Sequence, residues 1–247
     1  MCLLVVASRV VDGWPLVVAA NRDEWLDRPA AAVQELAPGV VGGRDLLAGG
    51  TWLAVGRHGV VAALTNQPSP AGRDPAKRSR GEIPLALAAA GDAAAAVEEF
   101  GERYRPGRYN PCWVLVGDRQ GLWYLDLTDP DRLRSAPLGP GVHILENRPL
   151  QDPSPKVDRV RRLLDAGDGW TADALRPVLA DHTVNDPAAA DSRRRAASAC
   201  CVHADGYGTR SAMVVRVPAD GTPEIWAADG PPCTTPLVPY RAASPIR

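Results

Sequence analysis

Two hairpin signatures near the start of the chain limit the folds open to it. Leu3-Leu4-Val5-Val6-Ala7 and Leu16-Val17-Val18-Ala19-Ala20 flank an Asp12-Gly13 turn. Trp52-Leu53-Ala54-Val55 and Val60-Val61-Ala62-Ala63-Leu64-Thr65 flank a second turn at Gly56 to Gly59. Runs rich in β-branched residues around such turns read as antiparallel hairpins, with no room for β-α-β crossovers. Successive strand residues point to opposite faces, and the second pair is apolar on both, as expected of a sheet covered on each side.

The rest of the chain extends this pattern. Trp25 to Gly43 carries Pro and Gly without periodicity and reads as a connection. Pro70 to Gly81, with Arg73, Lys77, Arg78 and Arg80, reads as a solvated basic loop. Pro84 suits the first turn of a helix, and Gly91-Asp92 breaks or re-caps it before Ala93 to Tyr104. Strands follow at Trp113–Val116, Leu122–Leu125 and Val142–Leu145. Ser154-Pro155 and Thr171 start two further helices, and Thr183 to Ala197 reads as a surface loop. Strands at Ala199–His203, Ala212–Val217 and Glu224–Ala227 close the chain. Alternating blocks of hairpin strands and helices predict an α+β fold, a four-layer α/β/β/α sandwich of antiparallel sheets, in a single domain over residues 1–247.

Composition then removes several classes of function. The net charge is -1, so nothing favours nucleic acid or an anionic membrane surface as partner. No apolar run approaches spanning length, because Asp, Arg or Gly interrupts each one. The 5 cysteines, Cys2, Cys112, Cys200, Cys201 and Cys233, are odd in number and irregularly spaced, which predicts reduced thiols in a cytoplasmic setting. No Cys-x-x-Cys or His-x-x-x-His spacing marks a zinc site, and no metal or cofactor is expected. Cys200 and Cys201 are expected to alternate across a strand and to pack into opposite faces.

Chemistry gathers where apolar strands end in polar residues. These ends are Asn21-Arg22-Asp23-Glu24, Asn66 and Asn147, with Gly206-Tyr207-Gly208-Thr209-Arg210 leading into a late strand. Removal of Met1 would place the Cys2 thiol and a free α-amine on one residue. Their ordinary pKa values, about 8.5 and 7.7–8.0, are close enough for direct proton exchange. In that arrangement Asp23 orients the α-ammonium, and the Asn66 and Asn147 amides donate to an oxyanion. Arg22 and Arg210 lower the thiol pKa or hold a substrate carboxylate. Gly49-Gly50 and Gly206/Gly208 read as backbone requirements, since no Gly-Lys-Ser/Thr follows to make a phosphate loop.

Asn21-Arg22-Asp23-Glu24 is the motif that names the NRDE family, also called the transport and Golgi organisation protein 2 family, and the chain is similar to that family well beyond it. The likeness runs through Arg28-Pro29, Gly49-Gly50-Thr51-Trp52-Leu53, Ala62 to Asn66, Arg80-Gly81-Glu82, Leu145-Glu146-Asn147 and Gly206 to Arg210. The resemblance implies a fold like the N-terminal nucleophile hydrolases, whose cholylglycine hydrolase and penicillin V acylase branch also begins Met-Cys. By that analogy Cys2, Asp23, Asn66 and Asn147 take catalytic places, while Asn21, Arg22 and Arg210 face the substrate. The Arg and Asp spacing of Asn21-Arg22-Asp23 differs from that branch.

The implied function is therefore a cysteine amidohydrolase or acyltransferase acting on a small acylated molecule. The alternative, from eukaryotic relatives linked to haem handling and acyl-lipid metabolism, is a haem or acyl-lipid carrier on the same scaffold. His143 and His203 are the candidate haem contacts, although Cys-Pro and Cys-x-x-Cys-His patterns are missing.

Overall fold

The structure, a computed structural model, describes residues 2–69, 72–189 and 191–241. Met1 and the first two residues of the Pro70–Gly81 loop lie outside that range. The chain opens with β1 (Cys2–Ser8), β2 (Leu16–Trp25), β3 (Ala30–Ala37), β4 (Val40–Asp45), β5 (Leu53–Gly56) and β6 (Val61–Asn66). Helices α1 (Glu82–Ala88) and α2 (Ala93–Arg103) precede β7 (Cys112–Gly117), β8 (Leu122–Asp126), β9 (Arg134–Leu138) and β10 (Gly141–Leu145). Then come α3 (Pro155–Asp165), α4 (Ala172–Leu179) and α5 (Ser192–Ala196). The last strands are β11 (His203–Ala204), β12 (Tyr207–Val217), β13 (Glu224–Ala228) and β14 (Val238–Pro239).

All ladders between these strands are antiparallel, in two sheets. One has the order β10-β1-β2-β12-β13-β14, with β11 on β12; the other is the meander β3 to β9. Strand alternation builds the layers. Leu4, Val6, Val18 and Ala20 face Leu53, Val55, Ala63 and Leu115 across the interface between sheets. Leu3, Val5, Val17 and Ala19 point outward onto Val160, Leu175, Val178 and Leu179 of α3 and α4. On the far side Val60, Ala62, Val114 and Val116 pack against Ile83, Leu87, Ala96 and Phe100 of α1 and α2. These are the four layers expected, and both-face burial is the reason the strands lack polar alternation.

The predicted caps are present. Asp92 accepts from the Ala95 N–H at 2.8 Å, Ser154 from Val157 at 3.3 Å and Thr171 from Ala174 at 3.2 Å.

Several segments differ from expectation, among them the unpredicted strand β9. Trp25 to Gly43 is not a plain connection, because it contains β3 and the first residues of β4. β3 is the edge strand of its sheet, and the Ala- and Gly-rich stretch of β3 and β4 is largely half-exposed, so it shows no apolar period. The strand expected at Ala199–His203 is reduced to the two residues of β11; Ala199 to Val202 is buried irregular chain. Cys200 and Cys201 therefore do not alternate across a strand. The Thr183–Ala197 loop carries the short helix α5, capped by Asp191.

Candidate active site

β1 and β2 pair with Cys2 opposite Arg22, so both side chains fall on the sheet–sheet face at one end of the sandwich. Neighbouring residues of β2 must then face the helices. Asn21 does: it is fully buried, and its amide donates to the Leu179 and Cys200 carbonyls at 2.8 and 2.9 Å. Asn21 thus serves as a tie to the helical layer, and its side chain is not placed to meet a substrate as expected. Asn21→Leu is expected to leave two buried carbonyls without donors, at about 2 kcal/mol, and to lower Tm by about 4–8 °C. KM should stay unchanged; a raised KM at unaltered Tm would return Asn21 to the substrate side.

Cys2 is held by the loop after β10. Its backbone N–H donates to Asn147 Oδ1 at 2.7 Å, and Asn147 Nδ2 donates to the Asn66 carbonyl at 2.6 Å. Thr65 Oγ1 donates to the Glu146 carbonyl at 2.9 Å, and Ser154 Oγ to Glu146 Oε1, which fixes this loop against β6 and α3. The three strand ends expected to converge do so. Asn147 uses one amide hydrogen on Asn66, and its oxygen faces the nitrogen of Cys2.

Burial pushes the Cys2 thiol up, as does the nearby negative charge of Asp23, while a hydrogen bond from the Asp23 backbone and the Arg22 guanidinium oppose the shift. Asp23 also borders the Cys2 cavity, and its Oδ1 accepts from Thr209 Oγ1 at 2.6 Å. Burial raises the Asp23 pKa, against the lowering effects of Lys156 and the Thr209 bond. Lys156, on α3, is itself buried, and its ammonium has no hydrogen-bond partner among the described residues. Nothing in its helical spacing marked it out in the sequence.

Cys2 opens onto a cavity of about 270 Å³ lined by Arg22, Asp23, Trp52, Asn66 and Arg80 among others. Arg22 is 3.4 Å from Asp45 and 3.9 Å from Glu24; Arg28 shares both acids, at 2.8 and 3.7 Å. Arg28, Arg73, Arg78 and Arg80 also line the cavity, so its guanidinium groups outnumber its carboxylates, Asp23, Glu24 and Asp45. Arg80 differs from the expectation of a solvated loop: it is mostly removed from water, donates to the Pro111 carbonyl at 3.2 Å, and has its pKa lowered by burial and by Arg73. The backbone of Gly81 packs on Gly50, which holds that loop against the sheet.

Beyond the Arg22–Asp45 pair lies a second cavity of about 220 Å³, sharing Arg22, Asp45 and Trp52 with the first and walled by Ala31, Val33, Met213 and Tyr240. Arg210 lines this one, not the Cys2 cavity. It sits at the β-bulge in β12 between Thr209, opposite Asp23, and Ser211, opposite Arg22, and it donates to the Leu26 carbonyl. His143 contacts the Gly139 carbonyl at 2.9 Å, and neither it nor His203 lines either cavity. No helix among the described residues is long and apolar enough to cross a membrane.

Known structures share this architecture. An N-acylethanolamine-hydrolyzing acid amidase ortholog from Caenorhabditis elegans superposes with a TM-score of 0.58 at 15% identity, covering 89% of this chain and 94% of that one. The C2A mutant of the conjugated bile acid hydrolase from Clostridium perfringens gives 0.51 at 10% identity, over 98% and 97% of the two chains. At such identities the likeness is one of fold, the N-terminal nucleophile hydrolase fold. In sequence, the human Transport and Golgi organization protein 2 homolog is 28% identical and the mouse homolog 27%, each over 85% of this chain and 84% of the relative. Residues 1–226 match the family Transport and Golgi organisation 2. The chain belongs to that family.

Proposed function

We propose that this protein is a cysteine amidohydrolase or acyltransferase acting on a small acylated molecule with an anionic group. The observation that carries the reading is the 2.7 Å bond from the Cys2 nitrogen to Asn147 Oδ1 beside an arginine-rich cavity. Removal of Met1 turns that nitrogen into an α-amine already held by a side-chain oxygen. The amine takes the Sγ proton, and the thiolate attacks the acyl carbonyl. The tetrahedral oxyanion accepts hydrogen bonds, with Asn66 supplying the side-chain amide of the cavity lining. Collapse returns the proton to the leaving group and forms a thioester, and water or an acceptor amine or alcohol then releases the acyl group. Asp23 favours the protonated amine electrostatically. The surplus guanidinium charge binds the anionic group, and the neighbouring apolar cavity receives the acyl chain.

A carrier that holds an acyl ligand without turning it over is the second reading, favoured by that apolar cavity alone. Haem receives no comparable support, since neither cavity is lined by histidine.

Intact mass and thiol labelling test the first reading together. Active protein is expected to lack Met1, and at neutral pH a small alkylating probe should modify Cys2 before Cys112, Cys200 and Cys201. Burial pushes Cys112, Cys200 and Cys201 up to about 12, which keeps them protonated. In chains retaining Met1, where residue 2 has an amide nitrogen and burial raises its thiol, labelling of Cys2 should be slow at pH 7 and quicken as the pH passes the ordinary thiol range. Turnover by protein that keeps Met1 would exclude the α-amine as base.

A further inference from the structure

Away from the Cys2 cavity, the fold collects four soft or borderline ligands that are scattered in sequence. His182 follows α4, Cys201 and His203 bracket the entry to β11, and Cys233 lies in a turn near the carboxyl end. One ligand atom from each lies within 4.8 Å of all the others. Cys201 Sγ is 3.7 Å from Cys233 Sγ; His203 Nε2 is 3.6 Å from the first sulfur and 3.4 Å from the second. A tetrahedral zinc ion with bonds of ~2.3 Å to sulfur and ~2.0 Å to nitrogen separates its ligands by ~3.8 Å (S···S) and ~3.5 Å (S···N). These three separations match one face of such a tetrahedron, and His182 lies within 4.8 Å of its three corners.

We propose that His182, Cys201, His203 and Cys233 form a closed tetrahedral site for Zn²⁺. Linear spacing concealed it, because the ligands come from three separate segments with no Cys-x-x-Cys or His-x-x-x-His pair. The surroundings are built as a metal site requires. His182 Nδ1 lies 3.2 Å from the Cys201 carbonyl, which can only accept, so the proton sits on Nδ1 and Nε2 keeps its lone pair. The Cys201 N–H donates to the Asp181 carbonyl at 2.9 Å, and Arg159 holds the Asp181 carboxylate at 2.8 Å. Arg176 Nε donates to the Pro232 carbonyl at 2.9 Å, and the Thr235 N–H to Pro231 at 2.9 Å, fixing the turn that carries Cys233. Half-exposed Cys233 and exposed His182 and His203 leave an entry path.

On binding, Cys201 and Cys233 each lose an S–H proton to solvent as two S–Zn bonds form. Two thiolates then neutralise the dication, with neutral imidazoles completing the shell. Four protein ligands leave no open position, so the role is structural. The ion clamps the α4 exit and the carboxyl-terminal turn onto the segment whose Val202 N–H donates to Thr209 Oγ1 at 2.9 Å, the same hydroxyl that donates to Asp23. The site does not depend on whether Cys2 turns over.

Reduced, chelator-stripped full-length protein titrated with Co²⁺ tests this. The expected result is one equivalent bound, with sulfur-to-cobalt charge transfer and the intense d–d bands of tetrahedral cobalt, displaced by Zn²⁺. Zn²⁺ should raise Tm by about 5–10 °C. Cys233→Ser and His203→Asn should each abolish the tetrahedral bands and weaken Zn²⁺ binding at least ~100-fold, whereas Cys112→Ser should change neither. Because the bands are read on the parent chain, a variant that fails to fold leaves the result decisive. Weak octahedral spectra, binding indifferent to the two ligand substitutions, or a Cys201–Cys233 disulfide whose reduction restores no metal affinity would each overturn the site.

Discussion

Cys2→Ala is expected to lower kcat/KM for an acyl substrate by on the order of 10⁴-fold or more, since Cys2 supplies the one thiol in the cavity lining. Ligand affinity and Tm should change little, because the cavity, the Asn147 tie to the residue 2 nitrogen and the arginine set survive the exchange. Cys2→Ser supplies the intermediate case: the hydroxyl keeps the position but is a far weaker acid than the thiol. A panel of amide, thioester and lactam substrates, each bearing a carboxylate, checks the prediction against parent and variants. Turnover by Cys2→Ala within tenfold of the parent sinks the nucleophile. A tightly bound acyl ligand with no turnover by any form points to the carrier.

Gly50→Ala should cost stability by forcing apart two loops beside the Cys2 cavity. A Cβ there would lie 2.5–2.7 Å from backbone atoms of Gly81, and no rotamer change can relieve a clash with backbone. The contact is also held by the Thr51 N–H donating to the Gly81 carbonyl at 3.0 Å. The expected cost is about 3 kcal/mol, seen as a fall in Tm of about 6–12 °C. Arg80 adjoins Gly81, so KM for an anionic substrate should rise by more than kcat falls. Gly91→Ala, where a Cβ meets nothing within 4 Å, is the control and should leave both unchanged. A Gly50→Ala protein as stable as its parent would show that the two loops are not bolted together.

Much of this architecture is legible in the residues because hairpins announce themselves locally. Asp12-Gly13 and Gly56 to Gly59 mark their turns, and the apolar runs beside them have no polar face to misread. What escaped was determined by partners distant in sequence. β3 and β9 are edge strands of small, polar or proline residues, whose extended form comes from a neighbour's ladder and not from their own pattern. Ala199 to Val202 has strand composition, but its backbone goes instead to Asp181, Asn21 and Thr209. Within the site, polar strand ends disclosed where Cys2, Asn66 and Asn147 would meet. They did not disclose that consecutive residues of β2 serve opposite faces, with Asn21 tied to helices and Arg22 in the cleft. Arg80 and the His182, Cys201, His203 and Cys233 cluster are products of tertiary convergence alone.

The two sheets assemble on different schedules. From β3 to β9 every strand pairs with its predecessor, so that sheet can grow as the chain is made. The other sheet is completed only when β10 and β12 return to the amino-terminal hairpin, and the Cys2 nitrogen has no Asn147 until residue 147 has been synthesised. On the proposed reading, the groups that surround the nucleophile are therefore assembled last, by strands that return from the far end of the chain.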